Sequence, residues 1–175
     1  MTANVVGVTG WQNSGKTTLV TKLIGELRRR GYRVASVKHA HHDFDIDHEG
    51  TDSYRHRAAG ASEVLLVSAR RWALIHELGK EREPSLDEIL RKLAPSDFVV
   101  VEGYKREPIP KIEVRRRNAA QRVPLAPEDP YVIGIVTDYP CEAAIRPVFD
   151  IIDITGITEL VLSHFHLDAI QGDTN

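Results

Sequence analysis

Near the start of the chain, the eight residues Gly10-Trp11-Gln12-Asn13-Ser14-Gly15-Lys16-Thr17 fit the spacing G-x-x-x-x-G-K-[ST]. Each position has a chemical reason. Glycines let the backbone curl until consecutive N–H groups face one anion. A helix beginning at the second glycine adds the positive end of its dipole. Lys16 then supplies a cation for β- and γ-phosphates, and the Thr17 hydroxyl a ligand for Mg2+. The chemistry implied is capture of a nucleotide's phosphates with their metal.

Such a loop needs a carboxylate at the end of a second hydrophobic strand. "FVVVE" ends on Glu102, which is expected on the metal side together with Thr17. Between His39 and Asp47 lie three histidines and three aspartates. Asp45 or Asp47 is expected to hold the metal's outer ligands or to position a water, with Asp45 assigned to the metal set. His41 and His42 are candidate transition-metal ligands, and a solvated polar loop is the alternative for all of them. Asp138 follows a late strand in "VTDYP". A carboxylate there can accept from N1–H and N2–H of guanine, a pair of donors adenine lacks, so Asp138 is the candidate for base selection. The common guanine motif N-K-x-D is absent. Residues 104–122 hold seven Lys or Arg against two Glu. They suit a phosphorylated small molecule, a polyanionic partner or a solvated edge. Within them "KIEVR" alternates as an exposed edge strand does, open to pairing with another chain.

The elements that must position these residues read as follows. "NVVGV" (4–8) is a buried strand. Leu19, Val20, Leu23, Ile24 and Leu27 recur at helical spacing, and the arginines before Gly31 mark the stop. "YRVASVK" (32–38) completes a βαβ unit with parallel strands. A short helix over 52–59, strands over 63–69 and 72–78, and a helix over 84–94 with a Ser85/Glu88 capping box follow. Then come strands over 97–104 and 131–138 and a terminal helix over 158–167. The pattern predicts an α/β protein: a three-layer P-loop NTPase fold with a mostly parallel central sheet. It also predicts one nucleotide-binding domain over 1–175, with 105–124 as an extended basic β/loop insertion. The length of 175 residues suits one core.

Composition narrows the class. The formal net charge is -2, so no bulk field draws the chain to nucleic acid or membrane. Aromatics are few, which argues against stacking on single strands. One cysteine, Cys141, excludes an intrachain disulfide and suits a reducing compartment. No apolar run approaches the roughly 20 residues that span a bilayer. "MTANVVGVTG" lacks the charged n-region and cleavage site of a secretory leader, so a cytoplasmic protein is expected.

The segments "GWQNSGKTTL", "KHAHHDFDIDHEGTDSYRHRAAGA", "VVVEGYKREPIPKIEV" and "IGIVTDYP" occur in this order. Together they resemble the molybdopterin-guanine dinucleotide biosynthesis protein B (MobB) family, and the likeness covers nearly the whole chain. The loop motif is shared with many ATPases and kinases; "EGYKREPIPKIEV" is the most specific segment. The resemblance implies a homodimer that binds GTP with Mg2+, hydrolyses it weakly, and acts as adapter for a MobA-type guanylyltransferase that attaches GMP to molybdopterin. Molybdopterin itself is a further candidate partner. Carried over, Gly10 through Thr18 hold the nucleotide, Glu102 is the metal-side carboxylate, and the loop from His39 to Asp52 faces the site. Residues 109–116 would lie in or beside the dimer contact. Lys16, Thr17 and Glu102 would carry the chemistry, attack of water on the γ-phosphate. The sequence assigns no arginine finger and no water-positioning glutamine, which fits slow turnover. Alternatives are a small-molecule kinase, with Arg70-Arg71 or residues 115–117 as its lid, and a non-catalytic nucleotide sensor.

Overall fold

The computed structural model describes residues 3–40, 44–119, 121, 123–141 and 144–167. In chain order the elements are β1 (Asn4–Thr9), α1 (Lys16–Arg29), β2 (Val34–Lys38), α2 (Asp52–Ala58), β3 (Glu63–Val67) and β4 (Trp72–His76). They continue as α3 (Leu86–Leu90), β5 (Phe98–Glu102), β6 (Lys111–Arg115), β7 (Val132–Thr137), β8 (Val148–Asp150) and α4 (Ile154–His164). The chain groups into two compact units, Met1–His39 with Leu90–Asn175, and Ala40–Ile89.

The larger unit is built on a six-stranded sheet of order β2-β5-β1-β6-β7-β8, parallel at every pairing. This is the expected α/β architecture with a parallel sheet. "FVVVE" is apolar without alternation because β5 is buried along its whole length. The α1 stripe of Leu19, Val20, Leu23 and Leu27 packs with Val6, Val8 and Val100 of the sheet and with Ile157, Val161 and Leu162 of α4. Each such side chain contributes about 1.5–3 kcal/mol when fully buried. The end of α1 is specified by Gly31, whose φ of 91° only glycine adopts without strain. Tyr32 N–H donates to Leu27 O at 3.1 Å and Gly31 N–H to Arg28 O at 3.0 Å. Leu27 and Tyr32 are both buried beneath that turn, which completes a Schellman stop.

In the smaller unit Thr51 caps α2 by accepting from Tyr54 N–H. β3 and β4 form an antiparallel hairpin with Leu65 opposite Leu74 and Val67 opposite Trp72.

The structure corrects the reading of "KIEVR". β6 is not an edge strand: it pairs with β1 on one side and β7 on the other. Its alternation of charged and apolar residues has another cause. Lys111 and Glu113 are each 1% exposed and are neutralised inside the chain. Lys111 Nζ donates to Lys105 O, Glu107 O and Asp129 Oδ2 at 2.9, 2.6 and 3.0 Å. Glu113 accepts from the N–H groups of Leu125 and Ala126, both at 2.9 Å, and from Arg115 at 2.7 Å. Removing one partner of such a buried set costs about 3–5 kcal/mol, because the other charge stays buried. The basic segment therefore spends much of its charge internally. Within residues 109–116, expected in or beside a dimer contact, Lys111, Ile112 and Glu113 pair with β1 on one side and β7 on the other, inside the chain's own sheet.

Element limits differ in three further places. The Ser85/Glu88 capping box forms, with Ser85 N–H to Glu88 Oε2 at 2.8 Å and Glu88 N–H to Ser85 Oγ at 3.3 Å. The helix behind it nevertheless stops at Leu90, where Leu93 N–H turns back to Leu90 O ahead of Pro95. α4 begins earlier than expected, because Asp153 Oδ1 caps it by accepting from Gly156 N–H at 2.9 Å. β8 has only three residues and an edge position, too little for a periodic signal.

Candidate functional site

In a parallel sheet the loops that leave the carboxyl ends of the strands share one rim, and ligands bind there. The loop after β1 is Gly10–Gly15, and those after β5, β6 and β7 begin with Gly103, Arg116 and Asp138. Register brings their bases together: Val8 sits beside Glu102, Thr9 beside Glu113, and Arg115 beside Thr137.

The loop after β1 has the shape its spacing predicts. Asn13 and Gly15 take φ values of 61° and 87°, in the left-handed region. A Cβ on Gly10 would stand 2.5 Å from Val114 O and 2.7 Å from Ser14 Oγ, so only glycine fits there. Ser14 N–H turns back to Trp11 O at 3.2 Å. Gly15 is the N-cap of α1, and no side chain among the described residues caps that end. The first turn carries no acid. A helix of 14 residues thus presents bare N–H groups and its positive dipole end to the loop. Ser14 Oγ and Thr9 Oγ1 are buried without a partner among the described residues. Uncapped donors and orphaned hydroxyls are features an oxyanion would satisfy.

Lys16 Nζ donates to Trp11 O at 2.8 Å. Burial lowers its pKa, Glu102 opposes that shift, and the cations of Lys105 and Lys38 reinforce it. An arriving anion would relieve this crowding of positive charge. Thr17 Oγ1 donates to Glu102 Oε1 at 2.7 Å, and Lys38 Nζ lies 3.5 Å from the same oxygen. Both are hard oxygen donors suited to Mg2+, and the structure holds them against each other. Trp11 lies across the loop, its Nε1–H donating to Val123 O at 2.7 Å and its ring 3.4 Å from Lys105 Nζ. Gln12, Thr17 and Thr18 are exposed.

Asp138 is fully engaged. Its Oδ2 accepts from Arg116 Nε at 2.9 Å and its Oδ1 from Arg117 N–H at 2.8 Å. Burial pushes its pKa up, but the Arg117 N–H and the Arg116 charge together hold it below the usual carboxylate range. Asp45 belongs to the smaller unit, where it pairs with Arg57 at 3.1 Å. Arg57 also binds Asp47 at 2.6 Å and Glu77 at 2.7 Å. Thr17 and Glu102 belong to the larger unit. His41 and His42 lie outside the described residues. Among the described residues no group of three or more His, Cys, Asp or Glu could hold a metal by itself. Lys105 and Arg116 belong to the basic stretch over 104–122 that suits a phosphorylated small molecule, and Arg116 also to the candidate lid over 115–117, but the sequence singles out neither, nor Lys38, as a site residue. Lys38 is the last residue of β2, the strand leading into the His39 loop.

The family model described as molybdopterin guanine dinucleotide synthesis protein B, MobB, matches residues 5–138. The chain belongs to the MobB family. The matched span runs from β1 through Asp138, so it takes in the loop, Glu102 and the Arg116–Asp138 pair. Two MobB-type relatives carry the name molybdopterin-guanine dinucleotide biosynthesis adapter protein. The one from Haemophilus influenzae is 42% identical over 167 residues, which is 93% of this chain and 91% of that protein. The one from Escherichia coli is 39% identical over 154 residues, 87% of each. Among solved structures, a molybdopterin-guanine biosynthesis protein B superposes with a TM-score of 0.70 at 26% identity, covering 93% of this chain and 99% of that one. Bacillus subtilis MobB superposes with a TM-score of 0.69 at 26% identity, covering 91% and 96%.

Proposed function

We propose that this chain is a cytoplasmic adapter of molybdopterin guanine dinucleotide biosynthesis that binds GTP with Mg2+, hydrolyses it slowly, and works as a homodimer with a MobA-type guanylyltransferase. The adapter role rests on the names of the two relatives. The nucleotide role rests on one observation above the others: Thr17 and Glu102 are hydrogen-bonded at 2.7 Å beside the uncapped start of α1. Phosphates would be held by the N–H groups from Asn13 to Thr18 and by Lys16. Thr17 and Glu102 would hold the metal, which supplies charge stabilisation at the β- and γ-phosphates. Lys16 exchanges its bond to Trp11 O for a phosphate oxygen, which costs little because a carbonyl is the weaker partner. The homodimer finds support in the β3–β4 hairpin, which leaves Leu65, Val67, Trp72 and Leu74 exposed.

Calorimetric titration with GTP and ATP, each with and without Mg2+, tests the reading, with phosphate release followed in the same samples. Mg-GTP should bind at least tenfold tighter than Mg-ATP, a gap of about 1.4 kcal/mol. Lys16→Ala should abolish most of the binding; a variant that binds normally removes the phosphate site. Equal affinity for ATP, with transfer to an added acceptor, would make the chain a kinase.

A further inference from the structure

Arg116 is placed where the phosphate-site reading leaves a gap. It follows β6, and its Nη1 stands 3.2 Å from where a Cβ on Gly15 would be. Its guanidinium therefore lies against the N-terminus of α1. Without an anion this is an unfavourable position, because Arg116 and Lys16 both meet the positive end of a helix that has no acid in its first turn. The arginine is held there from behind. Nε donates to Asp138 Oδ2, and Asp138 Oδ1 is pinned by Arg117 N–H. Among the described residues the two terminal nitrogens of Arg116 have no hydrogen-bond partner. Four N–H donors thus remain beside the uncapped start of α1 and the buried, unpartnered Ser14 hydroxyl. The side chain is 37% exposed, so water reaches it and an anion can replace that water.

We propose that Arg116 is a second phosphate-binding cation of this site, supplied by the same chain, and that Asp138 is its positioning residue, acting through Arg116 and not on the base. This rests on the phosphate-site reading above. It assigns Asp138 a role that Oδ2 already performs on Arg116 while Oδ1 is anchored by Arg117 N–H. A carboxylate that aims an arginine at phosphate affects every nucleotide alike, whereas a carboxylate that reads guanine affects GTP alone. A guanidinium suits the task because its fork gives one edge to Asp138 and keeps the other for a phosphate oxygen.

The test is binding of Mg-GTP, Mg-ATP and Mg-tripolyphosphate, which has no base, to the full chain and to Lys16→Ala, Arg116→Ala, Asp138→Asn and the double variant Arg116→Ala/Asp138→Asn. Circular dichroism and melting confirm that each is folded. Arg116→Ala should weaken all three ligands by about tenfold or more. Asp138→Asn should weaken them in the same direction by a smaller factor and leave the GTP/ATP ratio unchanged. The double variant should lose no more than Arg116→Ala alone, the non-additivity of two residues in one interaction. A merely structural role for Asp138 would add its own loss. Normal binding by Arg116→Ala, with Lys16→Ala dead, overturns the inference and leaves the phosphate site standing. Normal binding by Lys16→Ala overturns the phosphate site itself. A GTP/ATP ratio that collapses in Asp138→Asn, with tripolyphosphate unaffected, returns Asp138 to the base.

Discussion

At the scale of single residues, the clearest demands come from two glycines with opposite consequences. Gly10 has φ 148°, and a methyl there would meet Val114 O at 2.5 Å, a backbone atom that cannot step aside without moving β6. Gly25, in the exposed middle of α1, has open space around its would-be Cβ. Gly10→Ala should therefore cost about 1–3 kcal/mol of stability and remove nucleotide binding. Gly25→Ala should raise stability by about 0.5–1 kcal/mol and leave binding unchanged. Urea melts paired with a GTP titration check both; a Gly10→Ala protein that binds normally would mean the loop does not need its observed path. The same contrast shows what the sequence could disclose. Gly10 to Thr17 were legible because one short helix start fixes their geometry locally. The partner of Asp138 was not, because Arg116 is 22 residues away and only the β6–β7 register brings the two together.

At the scale of elements, α1 was legible from its apolar period and its stop, and β5 from its unbroken apolar run. β6 was misread for a physical reason. Period-two alternation reports which side chains are charged, and inside a sheet a charge can be buried if the chain supplies its counter-charge. Lys111 and Glu113 have theirs in Asp129 and Arg115, partners that alternation does not reveal. Charge also links helices here. Glu26 near the end of α1 binds Arg29 at 2.7 Å and Arg30 at 2.8 Å, and Arg30 reaches Glu159 of α4. The Arg29 hydrogen bond, followed by that of Arg30, lowers the Glu26 pKa from 4.5 to about 2, against the push of burial. A carboxylate with a depressed folded pKa stabilises above its unfolded pKa. That stability is lost as pH falls from about 4.5 toward 2. The expected loss is on the order of 1–2 kcal/mol after allowing for the exposed Arg29. Urea midpoints between pH 6 and about pH 2 should fall less steeply for Glu26→Gln than for the parent. Parallel curves would remove Glu26 from the acid response.

At the scale of the whole molecule, a formal charge of -2 on 175 residues gives no field to gather a partner, so association must come from local surfaces. Among the described residues no helix is long and apolar enough to cross a membrane. Leu65, Val67, Trp72 and Leu74 share one face of β3–β4, with Val67 and Trp72 72% and 69% exposed and directly opposite each other. A two-stranded hairpin is marginal in water, and a bare apolar face on it is a liability unless something covers it. A second copy is the occupant the homodimer proposal supplies, because in a two-fold contact each hairpin covers the other with the same residues. Covering one such side chain contributes about 1 kcal/mol or more, and each is counted twice across the axis. A change of Trp72 to Glu should therefore weaken the dimer by well over tenfold, since two charges are introduced where two indoles were buried. Sedimentation across a concentration series measures it directly. The parent should sediment as a dimer and Trp72→Glu as a folded monomer that still binds Mg-GTP, because the phosphate loop lies in the other compact unit. A parent chain that stays monomeric at high concentration would leave the hairpin face to a different protein, and a Trp72→Glu chain that still dimerises would move the contact elsewhere on the surface.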